Sequence, residues 1–194
     1  MSILYLINVL GCGNGKYLWV NENNLYNVGT DRCANFLSIC REKIPKSQTF
    51  SADSLKLPFR SGVFDSAISI AVVHHFSNAE LRMKAIKEII RILSVNGTFL
   101  IYVWALENEG RNFTEQENFV PWHLQNTYED DSKKLETLGP EIFKEKNSTV
   151  YHRYYHMFKK DELESLLKTF NNIEIEKSYY DNSNWCCICR KTKE

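Results

Sequence analysis

The chain has 194 residues, of which 43% are hydrophobic, so it is long enough for one domain with a core of its own and needs no disulfide framework. Its 24 basic and 24 acidic residues give a formal net charge of zero, which excludes a bulk-charge argument for nucleic-acid binding and leaves any such role to local patches or to a partner. The six cysteines lack the paired spacing of a zinc site, so we predict reduced thiols, no metal ion and a location in the cytoplasm or nucleus. No apolar run approaches the ~20 residues of a membrane span, so we predict no membrane contact.

Apolar runs bounded by turn residues alternate with helical patterns along the first hundred residues. This order is typical of an α/β domain in which a parallel sheet carries crossover helices on both faces. For the clearest helix, Ser77 and Glu80 predict an N-terminal capping box, and Asn96-Gly97 predicts the stop. The predicted strands are 3–10, 25–30, 64–73 and 98–104, and the predicted helices are about 33–43 and 78–93.

The segment 106–150 is polar and too long for an ordinary connection between two elements. We expect a lid at its aromatic end, Phe119-Val120-Pro121-Trp122-His123, because exposed aromatic side chains are costly without a purpose. The charged stretch 129–134 is expected to be solvated. After a helix at about 160–169, strands 173–178 and 184–190 complete what we predict to be a single domain over 1–194 with an insert at about 106–150.

A glycine-rich motif, Gly11-Cys12-Gly13-Asn14-Gly15, follows the first strand and is predicted to open a helix. Glycines at alternate positions permit positive φ and let the backbone approach a ligand that any Cβ would push away. A plain tight turn is the alternative interpretation of this motif alone.

Two acids follow neighbouring strands. Asp31 can accept both ribose hydroxyls of an adenosine cofactor, and the acid of Ala52-Asp53 lies within reach of an adenine amino group. Asp31 also has an alternative role as the cap of helix 33–43. Because strand 64–73 delivers His74-His75 to the same edge of the sheet, the motifs are expected to converge on one crevice.

Together with Leu57-Pro58-Phe59, Phe64-Asp65 and Asn96-Gly97, these motifs resemble the Rossmann-like S-adenosylmethionine methyltransferases over about residues 5–104. The resemblance implies a mostly parallel seven-strand sheet with helices on both faces and S-adenosylmethionine as cofactor. The cofactor-binding positions that it implies are Gly11, Cys12, Gly13, Asn14, Gly15, Asp31, Ala52, Asp53, Ala71 and His74.

A narrower resemblance, to the eukaryotic tRNA wobble-uridine carboxymethyl methyltransferases, reaches from residue 11 to residue 189. This family includes the methyltransferase domain that animals fuse to an AlkB-like oxygenase. The stretches that carry the resemblance are Gly11-Cys12-Gly13-Asn14-Gly15-Lys16-Tyr17-Leu18, Ser69-Ile70-Ala71-Val72-Val73-His74-His75-Phe76-Ser77, Ile101-Tyr102-Val103-Trp104-Ala105, Val120-Pro121-Trp122-His123, Arg153-Tyr154-Tyr155-His156 and Asn184-Trp185-Cys186.

This narrower resemblance implies an antiparallel final strand and methyl transfer to the carboxylate of 5-carboxymethyluridine at the tRNA wobble position, which forms a methyl ester. It also implies tRNA and a small zinc-ribbon activator subunit as partners. The sequence departs from the family in two places. Val9 stands where relatives carry an acid, and the N-terminal helical segment that covers the sheet in relatives is missing or shortened, since ten residues precede Gly11.

A carboxylate nucleophile has a reference pKa of about 4, so it is ionised at neutral pH and the reaction needs no general base. Arg153 is the first candidate to clamp it, because a guanidinium matches a carboxylate bidentately. We interpret His123 and His156 as further donors, and Trp122, Tyr154 and Tyr155 as rings that could stack an extruded base. Since side chains alternate along a strand, only one tyrosine of the pair is expected at the site. His75 and Trp104 have core packing as an alternative.

Two other functions stay open. A small-molecule methyltransferase would share the general motifs but leaves the Val-Pro-Trp-His and Arg-Tyr-Tyr-His motifs unexplained. A degenerate methyltransferase domain that acts as a binding or regulatory partner is favoured by Val9 and the short N-terminus. The following basic residues either form an RNA-facing patch or are scattered solvated charges: Arg82, Lys84, Lys87, Arg91, Lys159, Lys160, Arg190, Lys191 and Lys193.

Overall fold

A computed structural model describes residues 5–18, 25–108, 113–125, 141–143 and 148–194. Seven of the strands within them form the larger sheet: β1 (Tyr5–Leu10), β2 (Leu25–Asp31), β3 (Gln48–Ser51), β4 (Phe64–Ile70), β5 (Leu93–Trp104), β9 (Ile173–Asp181) and β10 (Asn184–Lys191). Their order in the sheet is β3-β2-β1-β4-β5-β10-β9. β1 to β5 pair in parallel, and β10 runs antiparallel between β5 and β9, which confirms the predicted Rossmann-like sheet with an antiparallel last strand.

Helices cover both faces of this sheet, as predicted. Val9 and Leu10 point to opposite faces because side chains alternate along a strand. Val9 is 1% exposed and packs with Leu37 and Cys40 of the first helix, so it is part of the core. Leu10 packs on the other face with the second and third helices. The helices of the described residues are α1 (Ala34–Lys43), α2 (Ala79–Ile92) and α3 (Glu162–Leu167).

The predicted bounds of α2, about 78–93, agree with the structure to within one residue, but the predicted capping and stop residues are wrong. Asn78, rather than Ser77, is the N-cap, because its backbone is extended and its side chain accepts a hydrogen bond from the amide of Leu81 at 2.9 Å. At the other end the chain turns directly into the extended conformation at Leu93 and starts β5. Asn96-Gly97 therefore lies inside β5, where Asn96 has a φ of 69°, and does not stop the helix.

The predicted strand 64–73 is too long by three residues. β4 ends at Ile70, because Ala71 has a φ of 60° and breaks the extended conformation. The chain then forms one 3₁₀ turn, Val73–His75. This turn places the histidine pair above the carboxyl end of β4 rather than within the strand.

The segment predicted as a lid contributes strands to a second sheet. β6 (Glu117–Gln125), β7 (Glu141–Phe143) and β8 (Ser148–His156) pair antiparallel in the order β6-β8-β7. Just beyond β8, the amide of Phe158 donates to the carbonyl of Trp104 at 2.9 Å, which anchors this sheet to the end of β5. The charged stretch 129–134 lies outside the described residues.

Three cysteines, Cys186, Cys187 and Cys189, lie on β10 and are buried. Burial raises the pKa of Cys186 and Cys189 to about 12 and that of Cys187 to about 11. These thiols are therefore protonated at neutral pH. In the part of the chain that the structure describes, no group of three metal-ligating side chains comes together, and no helix is long and apolar enough to span a membrane.

Candidate active site

The glycine loop lies at the carboxyl end of β1, and residues 11–18 form turns instead of the predicted helix. Gly11 has a φ of 59°, and a Cβ added there would lie 2.3 Å from the Cγ2 of Val72. A side chain at this position would therefore push away the segment that carries the histidine pair. Gly13 has a φ of 52°, and a Cβ there would meet nothing within 4 Å. One side of the loop is thus packed against the protein, and the backbone at Gly13 is open to a ligand.

Asp31 ties this loop to the start of α1. Its Oδ2 accepts a hydrogen bond from the amide of Gly13 at 2.9 Å, and its Oδ1 accepts one from the amide of Cys33 at 2.8 Å. Cys33, rather than Asp31, is the N-cap residue of α1, so the alternative role of Asp31 as helix cap is wrong. Each carboxylate oxygen has a second lone pair, so Asp31 can hold the loop and still accept from ribose hydroxyls.

The second acid lies at the end of the neighbouring strand. The amide of Ala52 donates to the carbonyl of Asp31 at 3.0 Å, and Asp53 is exposed while its Oδ1 accepts from the amide of Leu55 at 2.9 Å. The glycine loop, both acids and Val72 therefore share the edge formed by the carboxyl ends of β1 to β4. The open backbone at Gly13 and the acids beside it fit an adenosyl cofactor.

Two open clefts of about 340 and 450 Å³ lie at the amino end of β2 and beside α2, away from this edge. The candidate site is defined by the side chains and backbone at the carboxyl edge.

His74 is fully buried beside the end of β5. Its Nδ1 accepts a hydrogen bond from the amide of Trp104 at 3.0 Å, which leaves the proton on Nε2 in the neutral ring. Nε2 is buried and has no hydrogen-bond partner among the described residues. Burial lowers the pKa of His74 well below its usual 6.5, and the nearby His75 and His156 add to this effect. His74 is therefore a neutral donor whose N–H is unmatched.

His75 has the opposite tautomer. Its Nδ1 lies 3.0 Å from the carbonyl oxygen of Tyr154, and because a carbonyl only accepts, Nδ1 carries the proton. Burial, followed by the positive charge of Arg153, lowers the pKa of His75 to about 4. Both histidines are therefore neutral at physiological pH, and neither can act as a cationic clamp.

The Tyr155 ring is 9% exposed and is enclosed by other rings. It stacks on Trp104 with 4.4 Å between centroids and 17° between planes, and its centroid lies 4.4 Å from that of His75 and 5.0 Å from that of His74. One face of the Tyr155 ring is stacked on Trp104 and the histidine rings lie against it, so the stacking of an extruded base on Tyr155 stays a prediction that would require one of these rings to move. Tyr154 points away, and its hydroxyl donates to Ser77 and Glu117.

Arg153 pairs with Val120 across β6 and β8, and it precedes Tyr155 by two positions. The two side chains therefore leave the strand on the same face, the one that Tyr155 turns toward the histidine pair. The carbonyl oxygen of Tyr154, the next residue, lies 3.0 Å from the Nδ1 of His75, so this part of β8 lies beside the histidine pair, and the charge of Arg153 contributes to the lowered pKa of His75. His123 pairs with Val150, but its side chain, like that of Trp122, lies outside the described residues, so its predicted role stays a prediction.

His156 has a structural role instead of the predicted contact with substrate. It is 4% exposed, and its Nδ1 and Nε2 lie 2.7 Å from Glu117 and 2.6 Å from Glu162. Gln116 donates to the other oxygen of Glu162 at 2.7 Å. Both ring nitrogens serve these carboxylates, so the ring joins β6, β8 and α3. Sequence reasoning missed Glu117 and Glu162 because neither lies in a motif.

Replacing His156 by alanine is expected to lower the free energy of unfolding by about 2 kcal/mol, because it leaves the partly buried carboxylate of Glu162 and the exposed carboxylate of Glu117 without their shared partner. Denaturant unfolding measures this change. His152 lies on the same strand but is exposed, so His152→Ala should stay within about 0.5 kcal/mol of the unmodified chain. Equal effects of the two substitutions would contradict the structural role.

The depressed pKa of His74 makes stability depend on pH. The unfolded chain takes up a proton on this ring below about pH 6.5, whereas the folded chain does not, so stability falls as the pH falls through that value. The loss approaches about 1.4 kcal/mol per pH unit for a fully buried group. We expect His74→Asn to have a shallower decline in unfolding free energy between pH 6.5 and about 5.5, measured by urea unfolding. Parallel profiles for both chains would contradict it.

Several residues of the predicted RNA-facing patch are structural. Arg82 is 7% exposed and donates to the carbonyl of Phe76 at 2.9 Å. Lys191 is 2% exposed and donates to the carbonyl of Leu93 at 2.8 Å. Arg91 forms a 2.8 Å ion pair with Glu88. These three cations hold the fold together and are not available to a phosphate backbone.

The chain was compared with known proteins. Residues 9–101 match a family described as a methyltransferase domain. A tRNA (carboxymethyluridine(34)-5-O)-methyltransferase of Schizosaccharomyces pombe is 42% identical over 187 residues, which cover 94% of this chain and 79% of the yeast protein. The enzyme of that name, ALKBH8, from Macaca fascicularis is 36% identical over 256 residues, which cover 94% of this chain and 38% of the macaque protein. The chain thus spans less than two fifths of the macaque relative.

Solved structures show the same fold at low identity. A S-adenosylmethionine-dependent methyltransferase from Methanosarcina mazei superposes with a TM-score of 0.71 at 18% identity and covers 100% of this chain and 95% of its own. Another from Clostridium acetobutylicum gives a TM-score of 0.73 at 12% identity, with 99% and 86% covered. At these identities the likeness establishes the fold alone.

Proposed function

Since the chain belongs to the tRNA (carboxymethyluridine(34)-5-O)-methyltransferase family, we propose that it transfers a methyl group from S-adenosylmethionine to the carboxylate of 5-carboxymethyluridine at the tRNA wobble position. The product is the methyl ester. One observation carries the proposal: the open glycine loop, the two acids and a pair of neutral histidines line a single edge of the sheet. Residues 1–194 act in this reaction as a single methyltransferase domain.

The residues at the edge fit S-adenosylmethionine, which when bound supplies an electrophilic methyl group. The backbone at Gly13 offers room for close approach, since no atom would oppose a Cβ there. Asp31 accepts the ribose hydroxyls while its bond to Gly13 fixes the loop. Asp53, exposed on the next strand, accepts from the adenine amino group. Support for these roles comes from their placement at the carboxyl ends of parallel strands, where such ligands bind.

The acceptor carboxylate is already ionised, so the protein has to position it and exclude water. Holding two reactants in line can lower the activation free energy by roughly 7–11 kcal/mol. Arg153 supplies the positive charge from β8, and the neutral rings of His74 and His75 are too weakly acidic to protonate the nucleophile. A group that protonated the carboxylate would remove its reactivity, so neutral neighbours suit this reaction.

We infer further that a small zinc-ribbon activator subunit completes the enzyme and that it works in the cytoplasm or the nucleus. The resemblance of the motifs supports the first inference. Protonated, buried cysteines, which suit a reducing compartment, support the second.

Methyl transfer is tested by incubating the chain, with and without the activator, with labelled S-adenosylmethionine and tRNA that carries carboxymethyluridine. The RNA is then digested and its nucleosides are identified by mass spectrometry. We expect the labelled methyl ester of carboxymethyluridine. If the chain binds the cofactor but forms no ester both with and without the activator, the proposed substrate is refuted. If the chain does not bind the cofactor at all, the result favours the degenerate domain that Val9 suggests.

A further inference from the structure

The Nε2–H of His74 is a buried donor that nothing described in the protein satisfies. His74 is 0% exposed, and its other nitrogen is fixed as the acceptor of the Trp104 amide at 3.0 Å, so the ring cannot flip without losing that bond. Native proteins leave very few buried donors unpaired, and such groups occur where a ligand completes them. The T-shaped contact with the His75 ring, at 4.5 Å and 79°, offers at most a weak N–H···π contact.

The neighbours of His74 place its ring on the β5 and β8 side of the site, away from the glycine loop. The glycine loop and Asp31 lie on β1 and β2, on one side of β4. The partners of His74 lie on the other side: Trp104 ends β5 and Tyr155 lies on β8. The His74 ring therefore lies on the side of the site opposite the residues that fit the cofactor.

We propose that the Nε2–H of His74 donates a hydrogen bond to the carboxylate of the methyl-accepting nucleoside and so selects an acid over a neutral amide. This inference depends on the proposed function and names a specificity residue that the sequence had placed in the cofactor pocket. His74 takes the role of substrate donor that the sequence had suggested for His156, because both ring nitrogens of His156 contact Glu117 and Glu162. Arg153 supplies positive charge near the nucleoside carboxylate, and the hydrogen bond from His74 orients that carboxylate.

A neutral donor suits this task for two reasons. It stabilises the ionised oxygen through a charge-assisted bond, yet it cannot transfer a proton that would remove the nucleophile. An amide in place of the acid would offer a neutral carbonyl oxygen to the same N–H. The hydrogen bond would then lose its charge assistance, and this difference favours the acid.

Access to Nε2 requires a ring to move. The rings of His75 and Tyr155 lie against His74, with centroids 4.5 and 5.0 Å away. Both belong to segments outside the seven-stranded sheet, namely the 3₁₀ turn and β8. The nucleoside therefore reaches the donor when the side chain of His75 or Tyr155 rotates away. Until then these two rings exclude water from Nε2.

The test compares binding of two tRNAs, one with carboxymethyluridine and one with neutral carbamoylmethyluridine, to the chain loaded with S-adenosylhomocysteine. The variant is His74→Asn, whose Oδ1 can still accept from the Trp104 amide although no donor remains at the Nε2 position. We expect the preference for the acid to fall by about 10- to 100-fold, and kcat/KM for methyl transfer to fall with it. His74→Gln, which restores an N–H near the Nε2 position, should recover part of the preference.

The matched control is His152→Asn, an exposed position on β8, which should leave both affinities unchanged. Thermal unfolding shows whether each variant is folded. If folded His74→Asn keeps the preference for the acid over the amide, the inference is overturned. If the variant keeps this preference and loses affinity for S-adenosylhomocysteine, the inference is also overturned, because the donor then binds the carboxylate of the cofactor. If the unmodified chain forms no methyl ester, the proposed function fails first and this inference with it.

Discussion

Asp31→Ala is expected to raise the dissociation constant for S-adenosylhomocysteine by at least about 100-fold. The carboxylate would lose its bonds to both ribose hydroxyls, and each charge-assisted bond contributes roughly 1.5–3 kcal/mol. It would also lose the 2.9 Å bond to the Gly13 amide and the 2.8 Å bond to the Cys33 amide, which fix the loop against α1. Isothermal calorimetry with the purified chain measures the change directly.

A control separates this effect from a general loss of an acid. Asp161 is exposed and has a φ of 63°, a conformation that asparagine also adopts, so Asp161→Asn should bind the cofactor product as the unmodified chain does. Asp31→Asn keeps one oxygen acceptor and should fall between the alanine variant and the unmodified chain. A dissociation constant within threefold of the original for Asp31→Ala would show that the ribose is bound elsewhere.

Arg153→Ala is expected to reduce kcat/KM for methyl transfer to carboxymethyluridine tRNA by about 100-fold or more, since misplacement of a reactant by about 1 Å is enough for such a loss. The affinity for S-adenosylhomocysteine should stay the same, because Arg153 lies on β8, across the site from the glycine loop. Arg153→Lys keeps the charge without the bidentate geometry and should recover only part of the rate. Initial rates at several tRNA concentrations give kcat and KM separately.

The same substitution at Arg60, an exposed arginine outside the site, provides the comparison. Arg60→Ala is expected to leave kcat/KM within about twofold, as surface substitutions usually do. If Arg153→Ala keeps full activity, another group holds the acceptor carboxylate. The same conclusion follows if the affinity for S-adenosylhomocysteine falls by as much as kcat/KM.

The sequence was sufficient for the central sheet because its signals are local and repeated. Buried parallel strands appear as apolar runs, and the loop and acids that follow β1 and β2 can be located from the strand ends alone. The capping of α2 was not decided by local pattern, because Ser77 and Asn78 both suit an N-cap and the extended backbone at Asn78 selects the second. Asn96 occupies the left-handed region within a strand, which the asparagine-glycine pair does not reveal.

Long-range pairing explains the errors in the second half of the chain. The strands of the second sheet are joined by cross-strand bonds between β6 and β8, and the segment between those strands gives no periodic signal. His156 and Tyr155 were predicted to meet substrate because their residue types suit that chemistry. Their partners, Glu117 and Trp104, lie 39 and 51 positions away in sequence, and no local pattern connects them. The unmatched N–H of His74 likewise depends on the distant Trp104 amide.

A crystal structure of the chain with S-adenosylhomocysteine and the 5-carboxymethyluridine nucleoside tests the central claim most directly, because it locates both reactants relative to the sheet edge. The account predicts the adenosyl group between Gly13 and Asp31, and the nucleoside carboxylate on the β5 and β8 side within hydrogen-bond distance of His74 or Arg153. Either ligand bound at the clefts near the amino end of β2 or beside α2, with the edge at Gly13 left empty, would contradict it.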